Sequence, residues 1–268
     1  MTQRALAERF ESALWRTTSL LLVRDGEAVA VDPGISVDEV AAIAARADEL
    51  GARVTHVLVT HADWDHVCGI AAFPEATVVA GEATAGRIRA RAAGALAERA
   101  QAAGLRIAGD AHVDRAFAPG TAQRIGPFLV ETLALTGHTP DGVAYRFREP
   151  DVLAVGDHLS AAEFPFATST AAYRGSLAAL IDLLRRDPPA RVVPGHGPEL
   201  TAEEALAIAT ADLDYLWALH AAAVAASDAE QARTDALVVA VPRAAPDDLA
   251  EGHAANVDAV VAELFGAD

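Results

Sequence analysis

The stretch Thr60-His61-Ala62-Asp63-Trp64-Asp65-His66 decides the fold, because it places metal-binding side chains directly after a strand. The run before it, residues 54–59, is apolar apart from Thr55 and His56, as expected for a buried strand. Imidazole and carboxylate groups are the donors expected for a first-row divalent cation. We therefore predict that a strand delivers these residues and that the following loop spreads them around a metal.

Three further candidate ligands follow downstream, each at the end of its own strand-like run. They are found in Gly137-His138-Thr139, Gly156-Asp157-His158 and Gly195-His196-Gly197. Strand ends that converge on one place are a common way for an α/β fold to build an active centre. The spacing therefore indicates one composite site rather than four separate polar loops.

Composition restricts the classes of function. The chain has 268 residues, is 52% hydrophobic and carries a formal net charge of -17, and all of its basic residues are arginine. An acidic surface repels phosphate backbones, so we expect a small-molecule substrate and no nucleic acid. Cys68 is the only cysteine, which excludes a disulfide framework and fits a reducing compartment. With no signal-like or membrane-length apolar run, we expect a cytoplasmic protein that does not bind membranes.

The remaining pattern gives the domain organisation. Strand and helix signals alternate up to about residue 200, which predicts an α/β layered domain over 1–200. A capping-box start at Thr201-Ala202-Glu203-Glu204 opens a long Ala/Leu helix to about residue 226. We expect residues 201–268 to form a helical C-terminal extension, which would serve as a lid or as a homodimer contact.

Some local signals are sharper than others. Asp25-Gly26 between two apolar runs predicts a two-residue hairpin, since both turn positions need positive φ. Residues 1–13 are interpreted as a short helical or frayed lead-in. Residues 82–103 are helical in composition, and residues 104–120 form an irregular tract.

The order of these motifs resembles the metallo-β-lactamase superfamily. The landmarks are Asp32-Pro33-Gly34, the His-x-Asp-x-Asp-His motif of residues 61–66, Gly137-His138-Thr139, Gly156-Asp157-His158 and Gly195-His196-Gly197. All five occur in the expected order and cover roughly residues 14–200. The resemblance implies an αββα sandwich, in which two mixed β-sheets are flanked by helices and the dinuclear metal site lies at one edge.

The resemblance also implies a role for each motif residue. His61, Asp63 and His138 would bind the first metal, Asp65, His66 and His196 the second, and Asp157 would bridge them. Asp32 would order the loop from beneath the site without touching a metal. Two divalent metals would share a hydroxide as the nucleophile, and Asp65 would orient it and pass a proton to the leaving group.

Asp63 departs from the family pattern, because most hydrolases of the family have histidine there. A carboxylate lowers the positive charge of the site, raises the pKa of bound water and favours harder metals such as Fe or Mn. The Asp side chain is also shorter than that of Glu or His. If Asp63 does not bind a metal, it would accept a hydrogen bond beside the metal ligands or act as the N-cap of the following helix. We expect two divalent metals, with Zn favoured and Fe or Mn as alternatives.

These residues predict a metal-dependent hydrolase that cleaves a small ester, thioester, lactone or amide. The alternatives are a non-haem di-iron redox enzyme related to flavodiiron proteins, a nuclease and a non-catalytic binding protein on the same fold. The substrate-binding residues stay unknown, with Trp64, His158, Phe164 and Phe166 as candidates and ordinary packing as the alternative for each. The arginines at 87, 89, 91 and 99 are interpreted as a solvated helix face rather than an anion site.

Overall fold

The computed structural model of the protein describes residues 4–243 and 249–266. Two mixed β-sheets pack face to face, with helices on both outer faces, which confirms the predicted αββα sandwich. Period-two alternation in the strands explains the layers: in one strand, Leu20 and Leu22 face the other sheet, whereas Leu21 and Val23 face the helices.

The first sheet has six strands in the order β1 to β6. They are β1 (Leu6–Glu11), β2 (Thr18–Arg24), β3 (Glu27–Val31), β4 (Arg53–Val59), β5 (Thr77–Gly81) and β6 (Arg115–Phe117). The helices that accompany this sheet are α1 (Val37–Glu49), α2 (Trp64–Val67), α3 (Glu82–Ala90) and α4 (Ala95–Ala102). Strands β3 to β6 are mutually parallel, so their carboxyl ends meet at one edge of the sheet.

The second sheet has five strands in the order β11-β10-β9-β8-β7. They are β7 (Ala122–Ile125), β8 (Phe128–Ala134), β9 (Val143–Phe147), β10 (Val152–Ala154) and β11 (Arg191–Val193), and helix α5 (Thr170–Arg186) lies between the last two in sequence. Strands β10 and β11 are parallel, and they deliver the loops that hold Asp157 and His196.

Three helices follow: α6 (Ala202–Ala225), α7 (Ala229–Leu237) and α8 (Leu249–Phe265). They share one hydrophobic core with α5, in which Leu177 and Leu180 pack with Leu216 and Leu219. The extension therefore covers the outer side of the second sheet. Among the described residues, no helix is both long and apolar enough to cross a membrane. The division at residue 200, the cytoplasmic location and the homodimer stay predictions.

The local predictions have mixed outcomes. Asp25 and Gly26 have φ of 51° and 79°, so the hairpin between β2 and β3 is confirmed. The helical lead-in is wrong, because residues 6–11 pair with β2 as the edge strand β1. The helical tract of residues 82–103 is broken into α3 and α4 around Gly94, whose φ is 80°.

Candidate metal centre

The loops at the carboxyl ends of the strands bring all the predicted metal-binding side chains together. His61 and Asp63 follow β4 directly, and Asp65 and His66 lie in the short helix α2. The other three follow strands of the second sheet: His138 after β8, Asp157 after β10 and His196 after β11. The site therefore lies between the two sheets, at the edge where the loops after these strands come together.

The first group of potential ligands consists of His61, His138 and Asp157. Asp157 Oδ2 lies 3.5 Å from Nε2 of His61 and 3.2 Å from Nε2 of His138. Their donor atoms all lie within 4.8 Å of one another, as a single cation would require of its ligands. This group contains His61 and His138 of the predicted first position together with the predicted bridging Asp157, and it does not include Asp63.

The second group consists of Asp65, His66 and His196. Asp65 Oδ2 lies 3.4 Å from Nε2 of His66 and 3.5 Å from Nε2 of His196. Asp157 reaches this group too, since its Oδ1 is 3.1 Å from His66 Nε2 and its Oδ2 is 3.3 Å from His196 Nε2. One carboxylate thus contacts both groups, which is the arrangement expected of a bridging ligand.

The imidazoles fit a metal because their outer nitrogens are occupied. Nδ1 of His66 pairs with Asp32 Oδ2 at 3.0 Å, and Nδ1 of His138 donates to the Phe166 carbonyl at 2.9 Å. Nδ1 of His196 donates to the Trp15 carbonyl at 3.0 Å. These bonds assign the proton to Nδ1 and leave the Nε2 lone pair directed into the site.

The inner atoms have no hydrogen-bonding partner. The buried atoms without one include Nε2 of His61, His66 and His138 and Oδ1 of Asp157. Unpaired buried polar atoms cost free energy, so a set of them that converges on one point indicates a ligand that is not polypeptide. Imidazole nitrogens and carboxylate oxygens suit a divalent first-row metal.

The charges around the centre attract cations. Burial acts to lower the pKa of His138, but the Asp157 carboxylate outweighs it and raises that pKa to about 10. Burial likewise acts to lower the pKa of His196, but the Asp157 carboxylate outweighs it and raises that pKa to about 9. Protons on these imidazoles would compete with a metal for the same lone pairs.

Asp32 supports the loop from beneath, as the resemblance implies. Its carboxylate accepts hydrogen bonds from the Thr60 amide at 2.8 Å and from the Thr60 hydroxyl at 2.6 Å, besides its contact with His66. Asp32 itself has φ of 46°, a left-handed conformation that Asp tolerates better than most residues. One buried carboxylate, that of Asp32, therefore fixes both the end of β4 and the imidazole ring of His66.

Asp63 lies at the rim of the first group. Its Oδ2 is 3.4 Å from Nε2 of His138 and 3.8 Å from Nε2 of His61, whereas its Oδ1 accepts a hydrogen bond from Arg87 at 3.0 Å. Asp63 is the N-cap residue of α2 by position, as the alternative predicted, but its side chain makes no capping hydrogen bond. Burial opposes ionisation, but His138 and His61 hold the pKa of Asp63 below its ordinary value.

Several residues that contact the site were not predicted to do so from the sequence. Arg87 lies on α3 and contacts both Asp63 and the buried Asp141, and Arg91 donates to the Ala62 carbonyl at 2.5 Å. The prediction of a solvated face is therefore wrong for these two arginines, whose partners come from loops distant in sequence. Thr17, which donates to Asp65 Oδ2 at 3.2 Å, was missed for the same reason.

The four substrate-binding candidates have different surroundings. Trp64 is partly exposed and makes an edge contact with Trp15, with ring centroids 5.3 Å apart. Phe166 is partly buried. His158 is buried and stacks on Tyr173, and Phe164 is only 2% exposed, so the packing alternative describes both of these rings.

Comparison with known proteins identifies the family. The model of the metallo-beta-lactamase superfamily matches residues 13–196, and the chain belongs to that superfamily. A curated relative, the hydroxyacylglutathione hydrolase of Cereibacter sphaeroides (strain ATCC 17025 / ATH 2.4.3), is 34% identical over 140 residues, which are 51% of this chain and 44% of that protein. The chain spans about half the length of the curated relatives it matches, 44% and 58%.

Two solved structures show how far the fold match extends. TTHA1623 in a di-iron-bound form is 27% identical, with a TM-score of 0.57 over 74% of this chain and 96% of that one. The metallo-beta-lactamase family protein TTHA1429 from Thermus thermophilus is 18% identical, with a TM-score of 0.65 over 96% of this chain and 91% of that one. The second match shows that the fold similarity extends beyond the region of the family model.

Proposed function

We propose that this protein is a metal-dependent hydrolase of a small ester, thioester, lactone or amide. The observation that carries the proposal is the convergence of unpaired imidazole nitrogens on the Asp157 carboxylate, which contacts both groups of potential ligands. His61, Asp63 and His138 would hold one metal, and Asp65, His66 and His196 the other. Two divalent cations bound there would polarise the scissile carbonyl oxygen and make a water molecule acidic near neutral pH.

The polypeptide would contribute orientation and proton transfer. Asp65 is buried, and Thr17 donates to its Oδ2, so its carboxylate is held in one orientation. A carboxylate held beside the attacking water can accept its proton and return it to the leaving group. Asp65 is therefore our choice for the catalytic residue.

Among the substrate classes, a thioester has the most support. Both curated relatives are named hydroxyacylglutathione hydrolase, and an acyl group on the sulfur of glutathione is a thioester. Trp64 lies between Asp63 and Asp65 in sequence, is partly exposed and contacts Trp15, so this pair of rings is our candidate contact for the acyl group.

A di-iron redox centre is the second candidate. It is favoured by the carboxylate at position 63, because added oxygen ligands suit harder metals, and by the relative solved with two irons. Zinc is the first choice for a hydrolase, because it binds imidazole and carboxylate ligands and has no redox chemistry of its own.

The test is elemental analysis of natively purified protein, followed by turnover assays. About two zinc ions per chain with hydrolysis of thioesters or lactones would support the proposal and assign the substrate class, whereas hydrolysis of phosphoesters alone would overturn the proposed class of substrate. Iron with consumption of O₂ or NO would support the redox alternative. A protein that holds no transition metal would contradict both and favour a non-catalytic binding protein.

A further inference from the structure

The side chain of Asp63 is divided between two neighbours. Oδ2 points toward the first group of ligands, 3.4 Å from Nε2 of His138, and Oδ1 accepts from the Arg87 guanidinium at 3.0 Å. A carboxylate can bind a metal through one oxygen or through both. Here one of its two oxygens is already engaged, so only the other is available to a metal in the first group.

Arg87 is itself fixed from the other side. Its second terminal nitrogen contacts Asp141, whose side chain is fully buried and accepts from the Ala62 amide at 2.8 Å. The backbone of the metal-binding loop, Asp141, Arg87 and Asp63 thus form one closed chain of contacts. Partial burial acts to lower the pKa of Arg87, but Asp141 and Asp63 outweigh it and raise that pKa, so the guanidinium stays charged.

The guanidinium of Arg87 changes how Asp63 compares, as a metal ligand, with the histidine that most hydrolases of the family carry at this position. A neutral imidazole gives the metal one donor atom and no charge, whereas a free carboxylate gives two donor atoms and one negative charge. With Arg87 on Oδ1, Asp63 offers one donor atom, and its charge is partly offset by a cation in direct contact. Asp141 takes a share of the Arg87 charge, so the compensation is partial.

We propose that Arg87 is a positioning residue for Asp63. It leaves one carboxylate oxygen of Asp63 to bind the first metal, and it offsets part of the negative charge of that carboxylate. This inference rests on the proposed function, because it requires a metal at His61 and His138. It explains how the chain can carry Asp at position 63 without losing the site that histidine supports elsewhere in the family. Position 63 and position 87 would then have to change together.

A double-mutant cycle tests the coupling. In the wild-type background, Arg87→Gln removes the contact that orients Asp63, and we expect this loss to outweigh the removal of a nearby cation, so zinc binding at the first position should weaken by about tenfold. In the Asp63→His background, Arg87 keeps its contact with Asp141 but has no carboxylate at position 63 to orient, so its charge toward the site only repels the metal. There, Arg87→Gln should leave zinc affinity unchanged or raise it. The measurement is zinc affinity and stoichiometry by chelator competition, which does not depend on turnover.

Controls separate this role from plain packing. Arg89→Gln, two residues along the same helix at an exposed position, should change nothing. If Arg87→Gln does not fold, Arg87→Lys keeps a cation but loses the two-sided contact, and it should show the same background dependence in weaker form. Thermal unfolding of the metal-free proteins reports the structural contribution of Arg87 separately.

The outcomes are distinguishable. An equal loss of zinc affinity in both backgrounds means that Arg87 only supports the loop through Asp141, and it overturns the proposal. No loss in the wild-type background overturns it as well, while leaving the proposed hydrolase intact. A wild-type protein that binds no metal overturns the proposed function and, with it, this inference.

Discussion

At the scale of single residues, each imidazole of the site depends on a partner that lies outside the two ligand groups. Asp32 pairs with His66, the Phe166 carbonyl with His138 and the Trp15 carbonyl with His196. These partners choose the tautomer and the ring orientation, and they decide whether Nε2 is free to bind a metal. Changes one contact away from the metal should therefore appear as changes in metal affinity.

Asp32→Asn tests this dependence. The amide cannot satisfy the Thr60 amide, the Thr60 hydroxyl and His66 Nδ1 together, because one of its two terminal atoms is a donor. We expect zinc affinity at the His66 group to fall by about 10- to 100-fold. Chelator competition measures the loss, and Asp48→Asn at an exposed site on α1 is the control. Unchanged affinity would show that Asp32 only fixes the loop.

Asp65→Asn tests the proposed catalytic residue. The amide has nearly the same shape, but it offers the second metal no negative charge and cannot accept and return a proton, so turnover should fall by about 100-fold or more. The fold should persist, because Asp65 lies in the short helix α2 rather than in either sheet. Circular dichroism and thermal unfolding check the fold, and turnover is measured on the substrate that the panel identifies. Retained activity would remove Asp65 from the mechanism.

At the scale of elements, the connection from β1 to β2 links the site to helix α1. Trp15 and Arg16 there have φ of 52° and 55°, and the Trp15 carbonyl accepts from His196. Glu39 of α1 holds this connection by accepting from the Ser12 hydroxyl at 2.7 Å and from the Ala13 amide at 3.3 Å. The same carboxylate completes the capping box of α1 with Ser36.

Glu39→Gln should lower the free energy of unfolding by about 1–2 kcal/mol at pH 7, since charge-assisted bonds to a cap are lost. Burial opposes ionisation, but the bonds from Ser36, Ser12 and Ile35 leave the pKa of Glu39 lowered. A lowered carboxyl pKa stabilises the fold above the unfolded pKa of about 4.3, and the effect is lost as pH falls through the folded value.

The measurement is urea unfolding of both proteins at pH 7 and near pH 3, with the exposed Glu75→Gln as the control. The difference in the free energy of unfolding between wild type and Glu39→Gln should be smaller near pH 3 than at pH 7. A gap of the same size at both pH values would show that the carboxylate charge of Glu39 contributes nothing.

The elements that the sequence predicted correctly are those whose signals are local. The hairpin at Asp25-Gly26, the buried strand before His61 and the helix after Thr201 each follow from neighbouring residues. Strand β1 was mistaken for a helical lead-in, because an edge strand is half exposed and its pattern is set by its partner β2.

The grouping of the motif residues could be predicted because each follows a strand signal that is local in sequence. Residues whose contacts depend on distant partners could not be predicted. The motif residues follow strands, and strand ends converge, so their grouping could be inferred from order alone. Arg87, Asp141 and Thr17 could not be inferred, since their contacts join residues far apart in sequence, such as Arg87 with Asp141 54 positions away. Only the folded chain shows that the arginine-rich helix turns a cation toward Asp63.

At the scale of the whole molecule, the C-terminal helices hold the loop that orients His138. Arg243 donates to the Glu163 carbonyl at 2.6 Å and forms a salt bridge to the buried Asp212 of α6. Glu263 of α8 accepts from the residues that begin α5, which are Ser169, Thr170 and Ala171. Within the described residues the extension is thus tied to the edge of the site, 80 or more positions earlier in the chain.

Asn256 of α8 makes the central contact of this arrangement. It is fully buried, donates to the Pro165 carbonyl at 2.6 Å and accepts from the Ala167 amide at 2.8 Å. The residue between them, Phe166, supplies the carbonyl that accepts from His138 Nδ1. A side chain from the extension therefore accepts from the N–H of the same peptide group whose carbonyl orients His138, and it donates to the carbonyl of the peptide group before it.

Asn256→Ala should lower the free energy of unfolding by about 2 kcal/mol or more, because buried partners at Pro165 and Ala167 are left unpaired. Through Phe166 it should also weaken zinc binding at the His138 group by about tenfold, with a smaller effect at the His66 group. Glu263→Gln, near the end of the same helix, is the matched control, because Glu263 contacts the start of α5 and not residues 165–167. It should reduce stability without changing zinc affinity. If both variants lower stability alike and neither alters zinc affinity, the helices stabilise the sheet and have no influence on the metal site.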